Sequence, residues 1–141
     1  MFLNENRDAD GSACLLELDE HNGWLRATWT GYVDHAEGVR GAQSYLDVVQ
    51  QHPCAYLLND NTGLRGPWFD SIDWLEQIWV PQARSLGLRY IAHVPQRNDP
   101  MGYGTTHLRN PSGGQFELQI FEAVADAEEW LRNCQQVEES T

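Results

Sequence analysis

Five consecutive residues, Cys54-Ala55-Tyr56-Leu57-Leu58, carry neither a charge nor an amide side chain, and they run straight into Asn59-Asp60-Asn61-Thr62-Gly63. This pair of segments constrains the chain more than any other. Alternate side chains of a strand point to opposite faces, so a strand that is apolar throughout must be covered on both. The run predicts a central strand, ended by a tight loop, in a sheet with helices packed against it. An α/β domain follows, provided that the flanking sequence supplies the covers.

It supplies them on either side. Cys14 to Leu18 and Trp24 to Trp29 read as strands joined through Glu20-His21-Asn22-Gly23, where Asn-Gly suits the positive φ angles of a tight turn. The domain therefore opens with a β-hairpin. Asp34 and Glu37 form a capping-box-like start, after which Val39, Ala42, Leu46 and Val49 recur at helical spacing as far as Pro53. A second helix is predicted from near Pro67 to Asp70, with Ile72, Leu75, Trp79, Ala83 and Leu86 as its buried stripe and Gly87 as its stop; Pro81 predicts a kink or a break. Leu88 to Val94 reads as another strand, and Phe116, Leu118 and Ile120 alternate with polar residues as a half-exposed one. Asp126 with Glu129 caps a last helix that turns Ala127, Trp130, Leu131 and Cys134 inward. Because parallel strands need long crossovers, this order predicts a mixed, mainly parallel sheet of about five strands.

Residues 1–12 and 135–141 are polar and aperiodic and read as flexible tails around a single domain spanning 13–134. The segment from Pro95 to Gln115 is rich in Gly and Pro, and so long a connection is uncommon unless it moves or binds. A short helix is expected near Thr105 to Leu108.

The formal net charge is -12, from 21 acidic residues against nine basic ones, all Arg. Such a field repels phosphate backbones and anionic lipid, so nucleic-acid binding is not expected. The charge reads as solubility or as attraction to a basic protein partner. No apolar stretch approaches the roughly 18 residues that cross a bilayer, and the opening residues lack the pattern of a secretory signal, so a cytoplasmic protein is expected. Cys14, Cys54 and Cys134 are too scattered for a disulfide framework or a zinc knuckle and read as reduced, buried thiols. His21, His35, His52, His93 and His107 include no helical pair beside a Glu, so no metal ligand set is expected.

Trp68, Phe69, Trp74 and Trp79 cannot all share one helix stripe, since position 74 lies off the line through 72, 75 and 79. They read as a protein interface, as the lip of an apolar cavity, or as edge packing under the 95–115 segment. His93, within an apolar strand, reads as a core residue. His107, beside Thr105 and Thr106, is the better functional candidate, as part of the same interface or pocket, and a hydrolase using it is the third-ranked reading. There is no G-x-S-x-G elbow, and Gly102-Tyr103-Gly104 is too short to cradle a phosphate. No catalytic residue, metal or cofactor is assigned.

The element order, with Trp29-Thr30-Gly31-Tyr32-Val33, Leu57-Leu58-Asn59-Asp60-Asn61-Thr62, the segment Trp68 to Pro81 and the closing Phe121…Ala127-Glu128-Glu129-Trp130-Leu131, resembles the SpoIIAA-like (STAS/SEC14-like) family of small bacterial proteins over residues 13–134. The resemblance implies a non-enzymatic protein-interaction or regulatory module. Family antagonists of anti-sigma factors carry Asp-Ser-Ser-Gly-Leu after the equivalent strand, the second Ser being phosphorylated. Asp60, Asn61, Thr62 and Gly63 match that string, with Thr62 in the acceptor place; Asn61 departs from it and Gly66-Pro67 delays the following helix. The same residues also satisfy turn amides. The SEC14 side of the family implies instead a small apolar, lipid-like ligand. A protein partner is expected, and a homodimer is compatible with the chain.

Overall fold

The computed structural model describes residues 1–7, 11–33, 35–65, 75–95 and 117–139. Its elements are β1 (Phe2–Arg7), β2 (Ala13–Asp19), β3 (Trp24–Tyr32), α1 (His35–Gln51), β4 (Tyr56–Arg65), a π-helical turn over Leu75–Trp79 that runs into α2 (Val80–Ser85), β5 (Tyr90–Val94), β6 (Glu117–Ile120) and α3 (Val124–Glu139). The six strands form one mixed sheet in chain order. β1, β2 and β3 pair antiparallel, and β3, β4, β5 and β6 pair parallel. The protein is an α/β domain. Among the described residues, no helix is long and apolar enough to cross a membrane.

The β2–β3 hairpin turns where Asn-Gly predicts it. Gly23 has φ 78°, its amide donates to the Asp19 carbonyl at 2.7 Å, and the Asn22 amide donates to the Asp19 carboxylate at 3.0 Å. The Asn22 bonds hold the Asp19 carboxyl below its ordinary range, against burial, which would raise it.

Neighbouring residues of β4 and β5 show how the faces are shared. Leu57 and Ile91 belong to a core with Ala42, Tyr45, Leu46 and Val49 of α1 and with Val80 and Ala83 of α2. Leu58 and Ala92 belong to a second core, with Trp24 and with Ala127 and Leu131 of α3. Adjacent strand residues point to opposite faces, so α1 and α2 cover one face and α3 covers the other. This is the two-sided burial that the apolar run at 54–58 requires.

The structure departs from the sequence expectations in four places. Phe2–Arg7 form an edge strand rather than a tail, bringing the sheet to six strands, and the terminal amine donates to the Leu18 carbonyl at 2.6 Å. An edge strand with a largely solvated face needs few apolar side chains, and among the described side chains of β1 only Leu3 packs on the core. At the other end α3 continues to Glu139, and Gln135 donates to the Asn22 carbonyl at 2.7 Å, so the helix does not stop at 134. α3 also starts at Val124, which places Asp126 in its first turn. The break expected at Pro81 is the π-helical turn just before it; Pro81 then sits in the first turn of α2, where a missing N–H costs nothing. Glu37 accepts a hydrogen bond from the Ser12 hydroxyl, while Asp34, the other half of the expected capping box, lies outside the described residues.

Candidate functional site

β4 does not end at Leu58 but continues through the polar string to Arg65, and the site is built on that extension. Its register against β3 shifts between Thr28↔Asp60 and Thr30↔Gly63, so that Asn61 and Thr62 together oppose Trp29. Such a bulge re-aims side chains, and bulges gather beside sites. Asp60, Asn61, Thr62 and Gly63, expected in a loop at a helix start, therefore lie in a bulged strand. β3 pairs with Asp60 and Gly63 on either side of the bulge, and β5 pairs as far as Asp60.

On the face covered by α1 and α2, Asn59 lies beside His93 in the β4–β5 register. The Trp29 indole, which can only donate, gives its hydrogen to Asn59 Oδ1 at 3.0 Å. That bond orients the amide. Asn59 Nδ2 then donates to His93 Nδ1 at 2.9 Å and to Asn61 Oδ1 at 3.2 Å. With Nδ1 accepting, the imidazole proton sits on Nε2 and the ring is neutral.

This chain forms the polar end of a cavity of about 60 Å³ between the sheet, α1 and α2. Its walls are otherwise apolar and include Cys14, Leu16, Tyr45, Trp79 and Ile91, with no Arg, Asp or Glu among the described lining residues. α1 approaches closely because position 41 is Gly: a Cβ there would lie 2.4 Å from the Trp29 ring. Trp79 fixes the opposite wall, its indole donating to the Ala42 carbonyl at 2.8 Å and its ring lying 5.3 Å from that of Tyr45. Burial pushes the Cys14 thiol up to about 12, so the thiol stays neutral and unreactive. Burial, with a smaller contribution from Cys54, also pushes the Tyr45 phenol up and keeps it protonated. The Tyr45 hydroxyl is buried and has no hydrogen-bond partner among the described residues.

The opposite face carries a charged cluster. Arg26 bonds Asp60 Oδ2 at 2.9 Å, while the Thr62 amide and hydroxyl both donate to Oδ1, at 2.9 and 2.8 Å. The bulge frees the Thr62 amide from the ladder and the carboxylate takes it up. Burial raises the Asp60 carboxyl, but the Thr62 and Arg26 bonds outweigh it and hold the group below its ordinary value.

The structure thus brings only some of the sequence candidates together. Trp79 is in the cavity wall and Asp60 with Thr62 forms the cluster on the far face, whereas Trp68, Phe69, Trp74 and His107 lie outside the described residues. His93 is buried, as a core histidine should be, yet it also lines the cavity. Sequence reasoning missed Trp29, Gly41, Tyr45 and Asn59. A signal for one of them was present: Asn59 follows Leu57 by the strand period, so a continuing strand must turn an amide toward the core. Among the described residues, no group of three or more His, Cys, Asp or Glu is placed to hold a metal ion.

No protein-family model matches the chain, and neither a curated protein nor a solved structure matches it.

Proposed function

We propose that this chain is a non-enzymatic regulatory domain that binds a small molecule in the cavity between α1, α2 and the sheet. The observation that carries the reading is the cavity itself: a partly open, apolar-walled space with a few convergent polar groups, Asn59 and His93, at one end. That is the usual composition of a small-molecule site. The volume of about 60 Å³ is well below the roughly 300 Å³ at which drug-sized ligand pockets begin, so it admits a ligand of only a few heavy atoms and not a lipid chain. The element order supports a STAS-like assignment, in which occupancy of the site would be passed to a protein partner in the cytoplasm.

A switch at Thr62 has less support. Its hydroxyl already donates to Asp60, and a phosphate there would set two negative groups against each other.

Xenon under pressure tests the reading by NMR. It is expected to shift the indole N–H signals of Trp29 and Trp79, and Ala42→Leu, which fills the space from α1, is expected to abolish the response. Unmoved signals in the unaltered protein, or an equal response in both proteins, would remove the reading.

A further inference from the structure

The cavity contains a polar group that the Trp29–Asn59–His93 chain does not use. Tyr45 is 3% exposed, lines the cavity and has a hydroxyl with no hydrogen-bond partner among the described residues. Buried hydroxyls are otherwise paired in the great majority of cases, and an exception calls for a bound group that completes it. The ring cannot easily turn away, because it packs against Trp79, which is itself bonded to α1.

We infer that the cavity takes a small neutral molecule of about four to six heavy atoms whose ketone, hydroxyl or amide oxygen accepts a hydrogen bond from Tyr45, its apolar body lying against Trp29 and Trp79. This rests on the ligand-binding reading above and adds the ligand's chemistry to it. Size follows from volume, since about 60 Å³ holds roughly four waters or an organic molecule of that scale. Neutrality follows from the walls: no charged side chain among the described lining residues would replace the hydration that an ion loses on entry. The oxygen follows from Tyr45, a protonated phenol that has a hydrogen to give. The apolar body follows from Leu16, Ala27, Leu57 and Ile91, which offer no polar atom from their side chains.

The test titrates the full chain with three probes of similar size: 2-butanone, cyclopentane and butyrate. The readout is the indole N–H signals of Trp29 and Trp79. The expected result is binding of 2-butanone about tenfold tighter than cyclopentane, the increment of one buried hydrogen bond, and no binding of butyrate. Tyr45→Phe keeps the ring and is expected to bring 2-butanone down to the cyclopentane level while leaving cyclopentane unchanged. Butyrate binding as well as 2-butanone would overturn the neutral class. An unchanged 2-butanone affinity in Tyr45→Phe would overturn the Tyr45 contact. In both cases cyclopentane binding would leave the cavity reading standing. If no probe moves either indole, and xenon does not, the cavity reading fails and this inference with it.

Discussion

Asn59 and Asp60 are neighbours in one strand, yet they organise opposite kinds of polar structure. Asn59 points beneath α1 and α2 and joins Trp29, Asn61 and His93 without a formal charge. Asp60 points to the other face and joins Arg26 and Thr62 around a carboxylate. The difference follows from what each face can solvate. Arg26 retains 33% of its side-chain exposure, so its charge stays partly hydrated while it pairs with Asp60. Beneath the helices Trp29, Asn61 and His93 are buried, and Asn59, itself half-buried, is a neutral amide that both accepts and donates and so satisfies them without burying a charge.

Removing the neutral centre is expected to have the larger effect. Asn59→Ala takes a bond from Trp29 Nε1, from His93 Nδ1 and from Asn61 Oδ1 together, and each loss falls on a group that water does not readily reach. A cost of about 4 kcal/mol is expected, measured by urea unfolding monitored through tryptophan fluorescence. A loss below 1 kcal/mol would mean that solvent replaces these bonds, and the two faces would no longer differ in the way described.

The charged centre should respond less, and in a pH-dependent way. Arg26→Ala is expected to cost about 2 kcal/mol at neutral pH. The folded Asp60 pKa lies below its ordinary value of 3.8, so its bonds stabilise the fold fully above that value and lose their effect as pH falls through the folded pKa. The gap between Arg26→Ala and the unaltered protein should therefore narrow below about pH 4 as Asp60 protonates. Asn59→Ala has no corresponding carboxylate, and its penalty should not narrow through that window. Equal pH profiles for the two variants would erase the distinction.

How much of this could be read in the sequence depends on whether a segment's chemistry was local. The hairpin was legible because Asn22-Gly23 dictates its own turn, and the central strand because Tyr56-Leu57-Leu58 is apolar whichever face it shows. The helix stripes at Ala42, Leu46 and Val49 and at Ala127 and Leu131 were legible for the same reason. β1 was not, since Phe2–Arg7 form a strand by pairing with β2 rather than by burying themselves. The site was missed because Asn59-Asp60-Asn61-Thr62 has the composition of a turn. Only the flanking strands β3 and β5, distant in sequence, make it a strand and give the amide and the carboxylate their separate faces. The alternative reading weighed for those residues, that they cap backbone amides, is what Asp60 does for Thr62. The family resemblance drew attention to Thr62 as a switch, whereas the geometry puts more weight on the residue three positions earlier.

The smallest expected effect has the opposite sign and tests whether the neutral face is complete without a ligand. Tyr45→Phe removes a buried hydroxyl that no described residue satisfies, so the empty protein should become more stable, by about 1 kcal/mol. The phenol is protonated across the whole range in which the protein folds, so the gain should not vary between pH 5 and pH 8. Asn59→Ala and Tyr45→Phe each delete a polar group from the lining of the same cavity, but one group is bonded and the other is not. Opposite signs would show that the fold itself uses the first and leaves the second for an occupant. If Tyr45→Phe destabilises the protein by as much as an ordinary buried hydrogen bond, the hydroxyl is already satisfied in solution and the cavity holds bound water at that end.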